Sequence, residues 1–286
     1  MSTPAISVCV PAYQAEPFLT ATLRSILAQT FEDFELIVLD NACTDGTAEI
    51  LRGVGDPRLR VFRNDTVLSL ADNWNRVVGY ASAPYVKVVC ADDLLHPRCL
   101  ERQLAVFRAE PGISLVCSRR DMINESGRPL ARNRGLRGLT GRQPSRSVVR
   151  KIVRHGGNPL GESACALFRR REFDAVGGFD SRWMFPIDLA LWIRLLEHGD
   201  FYGNPESLAA FRIGRGSLSA RANRAAYVEQ RSLSERVAAA PEWDVRAVDR
   251  WVGSVKAPGA RLRRRAAFMV AQRQATRADL SPGQGG

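Results

Sequence analysis

The stretch Tyr85-Val86-Lys87-Val88-Val89-Cys90-Ala91-Asp92-Asp93 constrains this chain more than any other. A near-continuous apolar run is the pattern of a buried parallel strand. Two adjacent carboxylates end it, and open α/β sheets bind ligands at the carboxyl ends of their strands. Neighbouring carboxylates repel unless a positive charge lies between them, and hard oxygen ligands suit Mg²⁺ or Mn²⁺. The same two residues also read as a cap for the helical pattern that Pro97 opens. On this stretch alone both readings stand.

The flanking sequence favours an α/β sheet. Ile6 to Val10 reads as a strand, closed by Pro11-Ala12-Tyr13. Glu16-Pro17 opens a helix with Phe18, Leu19, Leu23, Ile26 and Leu27 on one face. Phe34 to Leu39 is a second strand ending at Asp40, Leu59 to Phe62 a third, and Ser69 to Tyr80 a helix before the Tyr85 strand. Strands alternating with helices predict a parallel sheet with right-handed crossovers. Asp40 and the Asp92/Asp93 pair then share one edge. There is no GxGxxG after the first strand and no GxxxxGK[ST], which argues against dinucleotide dehydrogenases and P-loop enzymes.

Composition narrows the setting. The 286 residues are 45% hydrophobic and 25% charged, an ordinary globular balance. No apolar run reaches the roughly 18–20 residues that span a bilayer. The start lacks the basic and apolar regions of a signal peptide. Six scattered cysteines without a CxxC pair suit a reduced, cytoplasmic setting. The net charge of +11, nearly all from arginine, favours anionic partners such as nucleotides or a membrane surface.

Several motifs together resemble family 2 glycosyltransferases of the GT-A fold. Val8-Cys9-Val10-Pro11-Ala12-Tyr13-Gln14 is similar to the V-x-V-P-x-Y-N opening, and Ser25 to Thr30 to the S-x-L-x-Q-T helix end. Glu35 to Thr47 resembles E-x-I-V-x-D-x-x-S-x-D-G-T, and Asp92-Asp93 with Pro97 the D-D-x-x-x-P form of the DXD motif. Val176 to Asp180 resembles G-G-F-D, and Asp188 to Leu195 the D-x-x-L-W-x-R-L helix. The likeness runs from about residue 6 to about residue 219.

The resemblance implies a mostly parallel, Rossmann-like central sheet flanked by helices. Residues 1–100 would form the nucleotide-sugar part, 101–220 the acceptor part, and 221–286 a helical extension with a disordered tail from Ser281. It implies inverting transfer from a nucleotide-diphosphate sugar, UDP- or dTDP-linked, to an acceptor hydroxyl. The acceptor would be a glycan, a lipid-linked molecule or a small molecule. Asp40 would accept the imide N–H of the base, with Pro11, Ala12 and Tyr13 lining the pocket and Arg63 on the phosphates or base edge. Asn64, Asn73 and Asn75 are weaker nucleotide contacts. Asp93 would hold the metal and Asp92 the ribose, or the reverse, or both would share the ion. Asp188 would be the general base, with Asp180 in reserve, and Glu162 and Trp192 would face the acceptor. Asp45 is read as a cap that shapes the Asp40 loop.

Three departures qualify this. Cys90, Ile187 and Gly214 stand where many relatives carry Asp, an acid and His. They motivate an alternative, a nucleotide-sugar-binding protein without catalysis. With Gly214 in place of the His, Arg212 or Arg215 would contact the diphosphate instead, or be plain surface charge. The charge motivates a further rival, a basic membrane- or nucleic-acid-binding protein, although no RNP, helix-turn-helix or zinc spacing supports nucleic acid. Arg221 to Ala239, Glu242 to Val255 and Ala260 to Arg277 read as helices. The last is basic and amphipathic, fit to pack on the domain or to lie at the inner face of a membrane.

Overall fold

The computed structural model describes residues 3–214, 224–257 and 259. Strand β1 (Ile6–Ala12) is buried at every position, so its alternating side chains feed two cores. Val8 and Val10 pack on one face of the sheet with helices α1 (Leu19–Leu27), α2 (Thr47–Arg52) and α4 (Cys99–Ala109). Cys9 enters the opposite core with α3 (Leu70–Gly79), α5 (Ser145–His155) and α7 (Ile187–Leu195). The result is helices on both sides of one sheet.

β2 (Phe34–Asp40), β3 (Leu59–Arg63) and β4 (Tyr85–Val88) join β1 in parallel, in the order β3-β2-β1-β4. The second half is mixed. β9 (Ala166–Arg169) runs antiparallel between β4 and β6 (Ile113–Ile123), whereas β10 (Asp200–Arg212) runs parallel to β6. The short β5 (Leu94–Leu95) pairs antiparallel with β10. One sheet therefore crosses the expected division at residue 100.

Several elements differ from the sequence reading. The stretch Asp121 to Ser145, rich in Gly, Arg and Asn, holds the end of β6, the return strand β7 (Pro129–Arg134) and β8 (Gly141–Gln143). These are polar, largely solvent-facing strands, so their apolar alternation is weak. α5 buries one stripe, Val148, Val149, Ile152 and Val153. The pairing of β10 with β6 is broken by register shifts, which interrupt a two-residue period.

Helix α6 (Arg170–Ala175) follows β9, and beyond Ile213 the described extension holds α8 (Arg224–Ala239) and α9 (247–257). Leu233, Val237 and Trp243 cover α5. The expected helix over 260–277, the tail, Arg215 and the motif end at Ser217–Ser219 lie outside the described residues. Among the described residues no helix is long and apolar enough to cross a membrane.

Candidate active site

The parallel strands deliver their carboxyl ends to one edge. Ala12 and Asp40 are register partners, and the Asn41 N–H donates to the Ala12 carbonyl at 2.9 Å. Pro11 and Ala12 are buried in β1, while Tyr13 is 56% exposed and free to stack on a ligand. Gln14 and Ala42 both adopt positive φ, 47° and 53°. The loops that carry them clasp each other: the Thr44 N–H donates to Gln14 Oε1 at 2.9 Å, and Gln14 Nε2 donates to Thr44 Oγ1 at 3.1 Å. Backbone strain of this kind gathers at ligand sites, and neither residue stands out in the sequence.

Asp40 is almost sealed. Its Oδ1 accepts the Cys43 N–H at 2.8 Å and its Oδ2 is paired with Arg63, which also donates to the Cys43 carbonyl at 2.9 Å. A base reaching Asp40 must displace Arg63, whose side chain is half-exposed. Asp45 does not cap α2, whose N-cap is Gly46, but holds the loop in shape. It accepts from Thr47 Oγ1 at 2.6 Å and from the Glu16 N–H at 3.0 Å, tying loop to loop. Asn64 and Asn73 serve a buried network with Asn41 and Arg76 instead of facing a ligand. Asn75 pins the Gly178-Phe179 turn through both its amide atoms, at 2.9 and 2.7 Å to Phe179.

Past β4 the two carboxylates diverge in setting. Asp93 is fully buried and Asp92 is part-exposed. Arg212, at the end of β10, clamps the turn. Its N–H donates to Asp93 Oδ1 at 3.0 Å, its Nε to the Asp92 carbonyl at 2.8 Å, and its Nη1 to the Asn124 and Glu125 carbonyls at 3.0 and 2.8 Å. The guanidinium lies over the Phe18 ring, 4.7 Å from its centroid. Arg212 is thus a buried brace, with Nε and Nη1 spent on backbone carbonyls. Burial, then the charge of Asp92, pushes the Asp93 carboxyl well above the usual range. Asp93 Oδ2 is buried without a hydrogen-bond partner. Cys90 Sγ and carboxylate oxygens of Asp92 and Asp93 lie within 4.8 Å of one another. Two acidic oxygens and an orphaned buried acceptor fit a divalent cation.

Asp188 stands beyond Cys90, on a helix. It stands in the first turn of α7, with one carboxylate oxygen buried and unbonded while the carboxylate accepts the Ser163 backbone N–H. Burial, with the charge of Glu162, lifts its pKa to about 8 against the pull of Ser163 and Arg120. The Cys90 thiol sits 3.5 Å from Ser163 Oγ and feels the charges of Asp93, Asp92 and Asp188, after burial, as upward pressure. Asp93, Asp92 and Asp188 therefore all stand close enough to Cys90 to act on its thiol. Glu162 is paired with Arg120, whose Nη2 donates to it at 3.0 Å. Sequence reasoning did not single out Arg120, since an arginine within a strand carries no motif. Asp180 is tied to Arg182, which holds its carboxyl below the usual range, so it is spent as a salt bridge.

Trp192 corrects an expectation. It has no exposed surface, packs on Phe168, and donates from Nε1 to the Gly161 carbonyl at 3.2 Å. It is a core residue that anchors the 161 loop and cannot itself touch an acceptor.

Residues 7–177 match the family model described as glycosyl transferase family 2. This chain belongs to that family. A Mycobacterium tuberculosis protein of uncharacterized function is 31% identical over 68% of this chain and 62% of its own length. The putative glycosyltransferase EpsE of Bacillus subtilis is 29% identical over 69% of each chain. The chain thus spans about two-thirds of these relatives. Among solved structures, Staphylococcus aureus TarS residues 1–349 in complex with UDP-GlcNAc superposes with TM-score 0.67, 17% identity, and coverage of 88% of this chain and 71% of that one. The mannosyltransferase PcManGT of Pyrobaculum calidifontis, in complex with GDP-Man and Mn²⁺, gives 0.65, 18%, 99% and 77%. At these identities the likeness establishes the fold, a GT-A-like mixed α/β architecture.

Proposed function

We propose that this protein transfers a glycosyl group from a nucleoside-diphosphate sugar to an acceptor hydroxyl with inversion. The observation that carries this reading is the sheet edge that bears Asp40 and the Asp92/Asp93 turn, with Asp188 on α7 acting on the neighbouring Cys90. Asp40 accepts the imide N–H of a uracil or thymine base after Arg63 swings out, and Tyr13 stacks on the base. A Mg²⁺ or Mn²⁺ ion held by the part-exposed Asp92, with Asp93 Oδ2 behind it, would neutralise the leaving diphosphate. Asp188 takes the hydroxyl proton on its unbonded oxygen. As the acceptor oxygen bonds to the anomeric carbon, the bond from that carbon to the diphosphate breaks. Glu162 and Arg120 fix the Ser163 loop that holds Asp188. The UDP-sugar bound by TarS supports a uridine donor, and the GDP-sugar bound by PcManGT makes guanosine the comparison.

The test is calorimetric titration of UDP, dTDP and GDP, with and without Mn²⁺, on the wild type, Asp92→Ala and Asp40→Asn. UDP binding that requires metal and is lost in Asp92→Ala supports the assignment. Preference for GDP overturns the base reading, and failure of all three nucleotides overturns the donor site.

A further inference from the structure

Helix α9 has two faces of opposite character. Its inner face is fixed to the C-terminal half of α5. Asp249 is fully buried and paired with Arg150 and Arg154, at 2.8 Å for Arg150 Nε. Gly253 lies so close that a Cβ there would sit 2.2 Å from the Val153 carbonyl, and one on Gly156 would sit 3.0 Å from Ala257. The outer face carries Val248, Trp251 and Val255, 49%, 66% and 61% exposed. Their spacing of three and four residues makes one stripe along a helix. An indole two-thirds in water, aligned with two valines, is the exception on a soluble surface.

Basic residues flank the stripe: Arg246, Arg250 and Lys256 stand along 246–257, where the one acid is the buried Asp249, and the exposed acids Glu242 and Asp244 precede it. Arg246, Arg250 and Lys256 are exposed and form no ion pair among the described residues. Trp and aliphatic side chains on one stripe, flanked by unpaired Lys and Arg, are what a helix needs to settle between anionic headgroups. We infer that the outer face of α9 docks on an anionic lipid surface through Val248, Trp251 and Val255, with the flanking basic residues on the headgroups. This face is distinct from the basic pattern over 260–277, and the fold exposes it.

The full chain is mixed with vesicles of phosphatidylcholine alone and of phosphatidylcholine with phosphatidylglycerol. Sedimentation and tryptophan emission are read at low and high salt. The expected result is binding to the anionic vesicles only, weakened by salt, with a blue shift that Trp251→Phe removes although that variant still sediments. The double variant Trp251→Asp, Val255→Asp should lose about tenfold or more in partitioning while retaining the wild-type melting temperature and UDP affinity. Absence of vesicle binding overturns the inference. So does equal binding by the double variant, which would assign the contact to another segment. A wild-type dimer that the double variant dissociates, without lipid binding, assigns the face to a second copy and overturns it too. UDP binding is measured separately, so failure of the nucleotide site and failure of docking are distinguishable.

Discussion

Asp188 concentrates the chemistry of the site in one side chain. A carboxyl with pKa about 8 is protonated through most of the neutral range, so it becomes a base only as pH rises. kcat/KM should therefore climb to a plateau above about pH 8, as read from initial rates across pH. The same shift opposes stability. A carboxyl raised in the folded state favours folding below its unfolded pKa near 4, and that advantage is lost as pH rises through about 8. Asp188→Asn removes the titration. Turnover should fall by roughly 10²–10⁴-fold, while the melting temperature rises relative to the wild type by a margin that widens from pH 5 to pH 8. A variant that loses activity without this pH-dependent gain would mean that Asp188 is already ionised in the folded protein.

At the scale of elements, the site is held by braces that cross from one strand or helix to another. Arg212 ties the end of β10 to the Asp92 and Asp93 turn and to the β6–β7 connection. Arg212→Met takes the guanidinium off Phe18 and removes its bonds to the buried Asn124 carbonyl and the part-buried Asp92 and Glu125 carbonyls. It should cost about 2–4 kcal/mol in chemical denaturation and weaken metal-dependent UDP binding. Trp192 acts on the other wall. Trp192→Phe preserves most of the packing and removes the bond to the Gly161 carbonyl. It should cost about 1 kcal/mol and lower kcat more than it raises nucleotide Kd, because the 161 loop bears Glu162 and Ser163. The first four strands and their helices were legible because buried parallel strands are apolar throughout. α5 was legible in principle, its valines and isoleucine marking a helical stripe. β7, β8 and β10 were not, since solvent-facing strands and register shifts erase the two-residue period.

The whole molecule is one sheet with helices on both faces and an extension bound by charge. Asp249 locks α9 to α5 through two arginines that remain partly exposed. Asp249→Ala should cost about 1–3 kcal/mol and raise hydrogen exchange across 247–257 without changing UDP affinity. The sequence by itself determined the family, the parallel half of the sheet, and the carboxylates Asp40, Asp92, Asp93 and Asp188, because each ends a strand or opens a helix in a recognisable order. Tertiary structure alone decided which side chains are free. It sealed Asp93 behind Arg212 and left Asp92 open, closed Arg63 over Asp40, buried Trp192, and turned Trp251 outward. Exposure depends on what the rest of the chain packs against a residue, and neighbours distant in sequence, such as Arg212 to Asp93 or Asp249 to Arg150, leave no local periodicity to read.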